Sequence, residues 1–320
     1  MDYFVNYKNN IPLYQEFIDE VIYTIKEECK LAKYNFAGIN GRVKTIDSIK
    51  KKIERHNIEN PIDEIKDYAG VRIVCLFEEE KLLFAELIEK TFKAEGKDNK
   101  KEKLAANQMG YQSIHYYISF GAKFSGTRYH KYKNLICEVQ ITTVLLDAWA
   151  LINHTLVYKN ERSIPIEIQR DINNVCSLLE VAQKVFDDSY LKRKKYIAKI
   201  ENSYSDTKDI FFSQPIDYDT LSFYTKILHP DLEISDMLQN KIIEVLDKEK
   251  YKTLKELNDA VIKAQPFVEH YKQQRPDLFR YGTDIITKSL GFVDKDFRMK
   301  HKFSSTTIKA FEDFEKKYAR

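Results

Sequence analysis

The residues best suited to chemistry in this chain fall in four short polar blocks that alternate with apolar runs. The blocks are Arg42-Val43-Lys44-Thr45, Asp67-Tyr68-Ala69-Gly70-Val71-Arg72, Gly110-Tyr111-Gln112-Ser113-Ile114-His115 and Glu138-Val139-Gln140-Ile141. Together they supply several cations, an aromatic ring and two carboxylates. These are the groups needed to bind a triphosphate together with a magnesium ion, so one task accounts for all four blocks.

Two acidic side chains from separate segments, Asp67 and Glu138, are the candidate magnesium ligands. Magnesium prefers hard oxygen ligands and is usually held by one or two carboxylates together with substrate phosphates and water. Taken singly, Asp67 is equally well explained as a turn residue and Glu138 as a solvated strand residue. The magnesium hypothesis therefore requires that the two side chains converge.

Cationic and aromatic residues of the same blocks are candidates for nucleotide binding. Four cations would offset the charge of a triphosphate: Arg42, Lys44, Lys52 and Arg72. Arginine offers bidentate contacts and lysine a point charge. Tyr111 follows a glycine and could stack on a nucleobase, although a surface turn explains it equally well. His115, taken alone, is better explained by a structural role.

The elements that must position these residues follow from hydrophobic periodicity. An apolar stripe over residues 12–33 predicts a helix with Pro12 in its first turn. Apolar runs predict strands over residues 71–77, 113–120 and 135–141. Because side chains alternate along a strand, Glu138 and Gln140 should share one face of theirs. The lysine-rich residues 93–107 predict a surface loop.

Composition narrows the class of protein. The 320 residues carry 52 basic and 49 acidic side chains, a net charge of +3 that does not by itself indicate a nucleic-acid partner. The four cysteines form no CxxC pair, which argues against zinc or disulfides, and Cys75 and Cys137 lie in apolar runs that favour buried thiols. No apolar run is long enough to span a membrane, and the residues after Met1 do not resemble a signal peptide, so we expect a cytoplasmic protein. Residues 1–204 are expected to form the domain with the polar blocks and residues 205–320 a mainly helical one.

The four blocks, in this order, resemble the motifs of the RelA/SpoT-type alarmone synthetases over roughly residues 10–200. The resemblance implies an α/β (α+β) fold with a nucleotidyltransferase-like mixed β-sheet flanked by helices. It also implies a Mg²⁺-dependent enzyme that transfers the β,γ-pyrophosphate of ATP to a ribose 3′-hydroxyl, usually of GDP or GTP.

Residue roles follow from the match to the family motifs. The family pattern would assign ATP binding to Arg42, Lys44, Lys52 and Arg72, and acceptor binding to Tyr111, His115 and Gln140. It would assign the metal and the chemical step to Asp67 and Glu138, with Glu138 a candidate to accept the hydroxyl proton.

Four departures from the family pattern affect the half of the site that binds the acceptor. The asparagine often found before Gly-Tyr is Met109, and a lysine two places earlier is Asn107. The arginine of Glu-x-Gln-x-Arg-Thr is Thr142, and the acid before the histidine of the following helix is Asn153. The ATP half of the pattern is intact, whereas guanine specificity is an open question.

Three functional hypotheses remain. The first is a synthetase that makes (p)ppGpp, and the second is a toxic relative that pyrophosphorylates the 3′-terminal adenosine of tRNA and so blocks translation. The third is a catalytically lapsed module that binds nucleotides or senses a partner; the presence of both Asp67 and Glu138 argues against it. The region 205–320 could bind a regulator, an antitoxin-like protein or a second copy of the chain, and its residues do not choose among these.

Overall fold

The computed structural model of the chain describes residues 3–99, 113–157, 165–248 and 250–318. The chain divides into two compact units, residues 1–190 and 191–320. The predicted boundary at residue 204 falls near the end of a long helix that begins in the first unit and continues into the second. The division into functional domains at that residue stays a prediction.

The first unit is built on one mixed five-stranded sheet. Its strands are β1 (Gly38–Val43), β2 (Ala69–Cys75), β3 (Lys93–Asn99), β4 (Ile114–Ser119) and β5 (Cys137–Thr143). They lie in the order β1-β2-β5-β4-β3, with β2 and β5 parallel and the other neighbours antiparallel. The predicted mixed sheet flanked by helices is confirmed.

Seven helices belong wholly or partly to the described residues of this unit. They are α1 (Tyr3–Ala32), α2 (Ile46–His56), α3 (Pro61–Glu64), α4 (Glu80–Thr91), α5 (Thr127–His130), α6 (Val144–Val157) and α7 (Ile166–Asp206). The predicted stripe of α1 is confirmed, since Phe17, Val21 and Ile25 are buried in the main core. The predicted start at Pro12 is wrong, because α1 begins at Tyr3 and contains Pro12 in its interior. Tertiary packing outweighs the local signal here: Tyr7, in the earlier part of α1, lies in a small core of its own.

The loop predicted over residues 93–107 is wrong for its first part. Lys93–Asn99 form β3, which pairs with β4 at the edge of the sheet. An edge strand exposes much of its surface, so it tolerates the polar composition that suggested a loop. Residues 100–107 lie outside the described part of the chain.

The second unit is helical, which confirms the predicted character of the C-terminal region. Beyond the end of α7 it comprises α8 (Lys208–Phe212), α9 (Tyr218–Leu228), α10 (Asp236–Lys248), α11 (Leu254–Gln274), α12 (Gly282–Val293), α13 (Lys295–Lys300) and α14 (Ser305–Tyr318), with a 3-10 turn at Pro276–Leu278. Two buried clusters form its core, one around Leu254 and Leu257 and one around Phe267 and Phe311. The regulatory or partner-binding role predicted for this region stays a prediction.

Two further expectations concern the whole chain. All four cysteines are free and buried, which confirms the prediction made for Cys75 and Cys137. Among the described residues, no helix is both long and apolar enough to cross a membrane.

Candidate active site

The candidate site lies on one face of the sheet, where the strand register aligns polar residues in two rows. One row runs across all five strands through Arg42, Gly70, Glu138, Tyr117 and Gly96. The adjacent row runs through Asn40, Arg72, Gln140, His115 and Asp98. Residues opposite each other in paired strands project to the same face, so the side chains of each row are neighbours. The opposite face of β5, formed by Cys137, Val139 and Ile141, is buried in the core, which confirms the predicted alternation.

Asp67, directly before β2, is held by two lysines. Lys44 Nζ lies 2.6 Å from Asp67 Oδ2, and Lys52 Nζ lies 2.9 Å from Asp67 Oδ1. Burial acts to raise the pKa of Asp67, but the hydrogen bonds and charges of Lys44 and Lys52 outweigh it and leave the pKa below its ordinary value. Asp67 is therefore ionised at neutral pH, and both of its oxygens already accept from cations.

Glu138, on β5, is instead hydrogen-bonded to a histidine and a glutamine. His115 Nδ1 lies 2.9 Å from Glu138 Oε1, and Gln140 Nε2 donates to Glu138 Oε2 over 2.9 Å. His115 is itself fixed, because its Nε2 lies 2.5 Å from Ser113 Oγ. Burial acts to raise the pKa of Glu138, but the hydrogen bond and charge of His115, together with the hydrogen bond of Gln140, leave it lowered. Tyr117 lies opposite Glu138, and burial with the charge of Glu138 raises the pKa of its phenol to about 12, so it stays protonated.

Arg72, on β2, is bound by a carboxylate and an amide. Its Nη1 donates to Asp147 Oδ1 over 2.6 Å, and its Nε and Nη2 donate to Gln140 Oε1 over 3.2 and 2.9 Å. Since Gln140 also donates to Glu138, a continuous chain of hydrogen bonds runs from Asp147 through Arg72 and Gln140 to Glu138. The requirement that a cation inside a strand have a partner is thus met.

Local sequence explains how the lysines reach Asp67. Thr45 caps α2 by accepting a hydrogen bond from the backbone N–H of Ser48, which fixes the start of the helix that carries Lys52. Tyr7 of α1 donates to the backbone carbonyl of Lys44 over 2.5 Å. Tyr68, next to Asp67, packs against Tyr7 with ring centroids 5.3 Å apart. The tyrosines of α1 therefore tie both sides of the ion pair to the same helix.

A cavity of about 270 Å³ joins these groups. It is lined by Asn40, Gly41, Arg42, Lys44, Asp67, Gly70, Val71, Arg72, Glu138, Gln140, Asp147 and Leu151. Six of the nine predicted site residues are in that lining; Lys52 adjoins it through Asp67 and His115 through Glu138. Tyr111, like Asn107 and Met109, lies outside the described residues.

Three residues in or beside the cavity were not among the nine candidate site residues. Asp147 and Asn40 line the cavity, and Tyr117 lies opposite Glu138. Asp147 is the one acid of α6 and lies seven positions before His154, a spacing that places both on one side of the helix. No signal in a single sequence pairs it with Arg72, because that pairing depends on how α6 packs on the sheet.

The two carboxylates suit a hard divalent cation better than a transition metal. They offer only oxygen ligands, both are ionised, and both line the same cavity. Within the described residues, no group of three or more His, Cys, Asp or Glu side chains could enclose a metal ion. Such an open arrangement suits an ion that takes its remaining ligands from phosphate and water.

The candidate site residues lie in a part of the chain that matches a known protein family. Residues 41–163 match the family model described as "Region found in RelA / SpoT proteins". That range contains β1 to β5 apart from the first residues of β1, and all nine predicted site residues.

The proteins similar to this chain include two curated relatives and a solved structure. GTP pyrophosphokinase YjbM of Bacillus subtilis (strain 168) is 27% identical over 163 residues, which are 49% of this chain and 75% of that protein. GTP pyrophosphokinase YwaC of the same strain is 25% identical over 141 residues, 43% of this chain and 65% of that protein. The structure of small alarmone synthetase 1 from Bacillus subtilis matches with a TM-score of 0.51 at 21% identity, over 59% of this chain and 98% of that one. This last likeness shows that the fold is shared.

Proposed function

Because the chain carries a RelA/SpoT region and is a distant homologue of the small alarmone synthetases, we propose that it is an ATP-dependent pyrophosphokinase. The proposed reaction transfers the β,γ-pyrophosphate of ATP to the 3′-hydroxyl of GDP or GTP and yields (p)ppGpp. The names of both curated relatives support this choice. The observation that carries it is the meeting of two ionised carboxylates with a cluster of cations at one cavity.

The cations would bind the triphosphate of ATP. Arg42 is exposed at the cavity, and Lys44, Lys52 and Arg72 are partly buried around it. A triphosphate would compete with Asp67 for Lys44 and Lys52, since phosphate oxygens accept charge-assisted hydrogen bonds as carboxylates do. Transfer of the two lysines to phosphate would release the oxygens of Asp67, which are both occupied by lysine now.

The released Asp67, together with Glu138, would hold Mg²⁺. When bound, this ion supplies positive charge beside the phosphate oxygens and lowers the cost of charge that develops on them. The chain's own contribution is to keep both carboxylates ionised and to point them into one cavity.

The transfer itself is a displacement at phosphorus. The 3′-oxygen of the acceptor forms a bond to the β-phosphorus of ATP, the bond from that phosphorus to the oxygen shared with the α-phosphate breaks, and AMP leaves. Glu138 is the candidate to take the proton of the attacking hydroxyl, because it lies on the sheet face between the cations and His115. Most of the acceleration is expected from positioning and charge neutralisation.

A second acceptor, the 3′-terminal adenosine of tRNA, is the alternative because the acceptor half departs from the family pattern. Thr142, which occupies the position of an arginine in the family pattern, is fully buried on β5. The chain therefore lacks that cation, and recognition of a guanosine polyphosphate must rely on other residues. Tyr111 keeps its predicted role as a base-stacking residue.

Product analysis separates these possibilities. The full chain is incubated with γ-labelled ATP and Mg²⁺, and separately with GDP, GTP, ADP or deacylated tRNA, and the products are resolved. Label on GDP or GTP supports the alarmone synthetase, and label on tRNA supports the tRNA-modifying enzyme, for which steep salt dependence is also expected. Absence of transfer to every acceptor would contradict the proposed enzyme and favour a nucleotide-binding module without activity.

A further inference from the structure

The ion pair between α6 and β2 suggests a role for a residue that the family motifs leave unassigned. Asp147 Oδ1 lies 2.6 Å from Arg72 Nη1, and both residues line the cavity. The side chains are 18% and 24% exposed, respectively, so the pair is partly shielded from water. We propose that Asp147 is a positioning residue: it holds Arg72 in the orientation that binds ATP and keeps that guanidinium away from the two carboxylates of the site. This inference rests on the proposed function.

Without Asp147, Arg72 would lose the carboxylate that binds its Nη1. An uncharged partner of its guanidinium at hydrogen-bond distance is the amide oxygen of Gln140. Glu138 is the next residue along the same hydrogen-bond chain, and Asp67 lines the same cavity. An arginine that loses its carboxylate is drawn to the nearest remaining one, because charge-assisted pairs are the strongest polar contacts available in a partly shielded site.

Such a shift would damage the site in two ways. It would remove a cation from the triphosphate, and it would neutralise a carboxylate that the proposed function needs for Mg²⁺. Asp147 would prevent both because its carboxylate, on α6, already binds Nη1 of Arg72. Gln140 then serves as a neutral spacer between the cation and Glu138, accepting from one and donating to the other.

The test is a binding measurement that needs no turnover. Wild type and Asp147→Asn are titrated with a non-hydrolysable ATP analogue in the presence of Mg²⁺ by calorimetry. Asparagine keeps the size and one acceptor oxygen but removes the charge, so we expect affinity to fall about tenfold, the usual effect of losing one charge-assisted contact. Asp147→Glu, which restores the charge, should recover part of the loss. In steady-state assays the change should be seen in KM for ATP more than in kcat.

A mutant cycle shows whether Asp147 acts through Arg72. If it does, Asp147→Asn should have little further effect on affinity in an Arg72→Lys background, because the fork that Asp147 orients is already gone. A matched control is Glu20→Gln, which removes the acid from a comparable pair, Glu20 with Arg128 at 2.7 Å, away from the cavity lining. This control should bind the analogue as wild type does.

The outcomes separate this inference from the proposed function. If wild type fails to bind the analogue, the proposed function falls and the inference falls with it. If wild type binds but Asp147→Asn binds equally well, or if its effect is undiminished in the Arg72→Lys background, the inference alone is overturned. A lower melting temperature with unchanged affinity would likewise assign Asp147 a purely structural role.

Discussion

Glu138 is the single residue on which the proposed chemistry depends most. Its carboxylate is fixed on both oxygens, by His115 and Gln140, and it lies in the sheet row that leads to Arg42. Such a carboxylate has little freedom to turn, which suits a group that must meet a metal ion and a hydroxyl at defined positions.

The first prediction concerns this carboxylate. Glu138→Gln should lower the rate of pyrophosphate transfer by at least about 100-fold, because the amide neither binds Mg²⁺ well nor accepts the hydroxyl proton. The measurement is kcat with γ-labelled ATP and whichever acceptor the wild type uses, with the melting temperature checked in parallel. Glu16→Gln, at an exposed acid of α1, is the control and should keep full activity. Turnover near that of wild type in Glu138→Gln would remove Glu138 from the mechanism.

For single residues, the sequence predicted several of the side chains that line the cavity but not the pairs that they form. Lys44, Asp67 and Glu138 were predicted because each belongs to a short polar block beside an apolar run. The pairing of Arg72 with Asp147, 75 positions later, was not predictable, because it requires the packing of α6 on β2. Strand register is likewise set by the assembled sheet, so the opposition of Tyr117 and Glu138 becomes evident only in the structure.

At the scale of elements, α1 packs closely on β1 at Gly41. A Cβ atom at Gly41 would lie 2.2 Å from Ile18 Cγ2 and 2.9 Å from Ile22 Cδ1, both on α1. Gly41 is therefore required by the approach of the helix and not by its own backbone conformation. The same strand delivers Arg42, and the turn after it delivers Lys44, to the cavity.

The second prediction follows from this contact. Gly41→Ala should lower the free energy of unfolding by about 1–3 kcal/mol, the usual cost of overpacking, and should raise KM for ATP as β1 is displaced. Chemical denaturation and steady-state kinetics measure the two effects. Gly38→Ala is the matched control on the same strand, because its Cβ would lie an ordinary 3.6 Å from Asn40 Nδ2. Equal effects from the two substitutions would argue against the close approach of α1.

The third prediction concerns Asp294, which caps α13 in the second unit. Its carboxylate accepts from Lys250 Nζ at 2.9 Å, Tyr251 Oη at 3.0 Å and the backbone N–H of Phe297 at 3.2 Å. Burial acts to raise its pKa, but these hydrogen bonds outweigh burial and leave the pKa below the value of 3.8 expected for the unfolded chain. A lowered native pKa means that the stabilisation is present above pH 3.8 and is lost as the pH falls through the native value.

Asp294→Asn removes this titration while keeping a residue that can cap the helix. We expect it to cost about 1 kcal/mol of unfolding free energy at pH 5. The difference from wild type should shrink at pH 3, below the unfolded pKa of 3.8, because the unfolded chain then binds a proton that the native carboxylate resists. Urea unfolding followed by far-ultraviolet circular dichroism at the two pH values measures it. A difference that grows on acidification would show that the pKa is raised instead.

The elements themselves were predictable to the extent that they are buried. The strands β2 and β5 were predicted from apolar residues that the core requires, whereas β3 was not, because an edge strand with the sequence Lys-Ala-Glu-Gly-Lys-Asp-Asn has little apolar signal. The start of α1 was misplaced for the opposite reason: a strong local signal at Pro12 was overridden by packing of Tyr7.

At the scale of the whole molecule, the two units have separate cores. The buried clusters of residues 1–190 share no member with those of residues 191–320. The second unit contains a dense aromatic cluster around Phe267, which stacks on Phe292 with ring centroids 4.5 Å apart. The chain's one tryptophan, Trp149, lies in the first unit.

The fourth prediction uses this division. Phe267→Ala should destabilise the second unit by about 3–5 kcal/mol, because Phe267 is only 1% exposed and its removal leaves a large cavity. Circular dichroism should register the loss, whereas the unfolding midpoint seen by Trp149 fluorescence should stay in place. Ile262→Ala, at a 58% exposed position of the same helix, should change neither signal. A parallel shift of the fluorescence midpoint in Phe267→Ala would indicate that the two units unfold as one.

The buried cysteines of the first unit can report how often that unit opens. Cys29, Cys75, Cys137 and Cys176 all lie within residues 1–190, each at most 1% exposed. Burial raises the pKa of Cys75 to about 12, so the reactive thiolate is almost absent in the folded chain. A thiol reagent can then modify these cysteines only when their surroundings open, and the rate of modification reports the opening free energy of the first unit without any introduced label. Ligands that bind the cavity should slow the modification of these cysteines, and the rate should fall as the cavity fills. Events confined to the second unit should leave the rate unchanged.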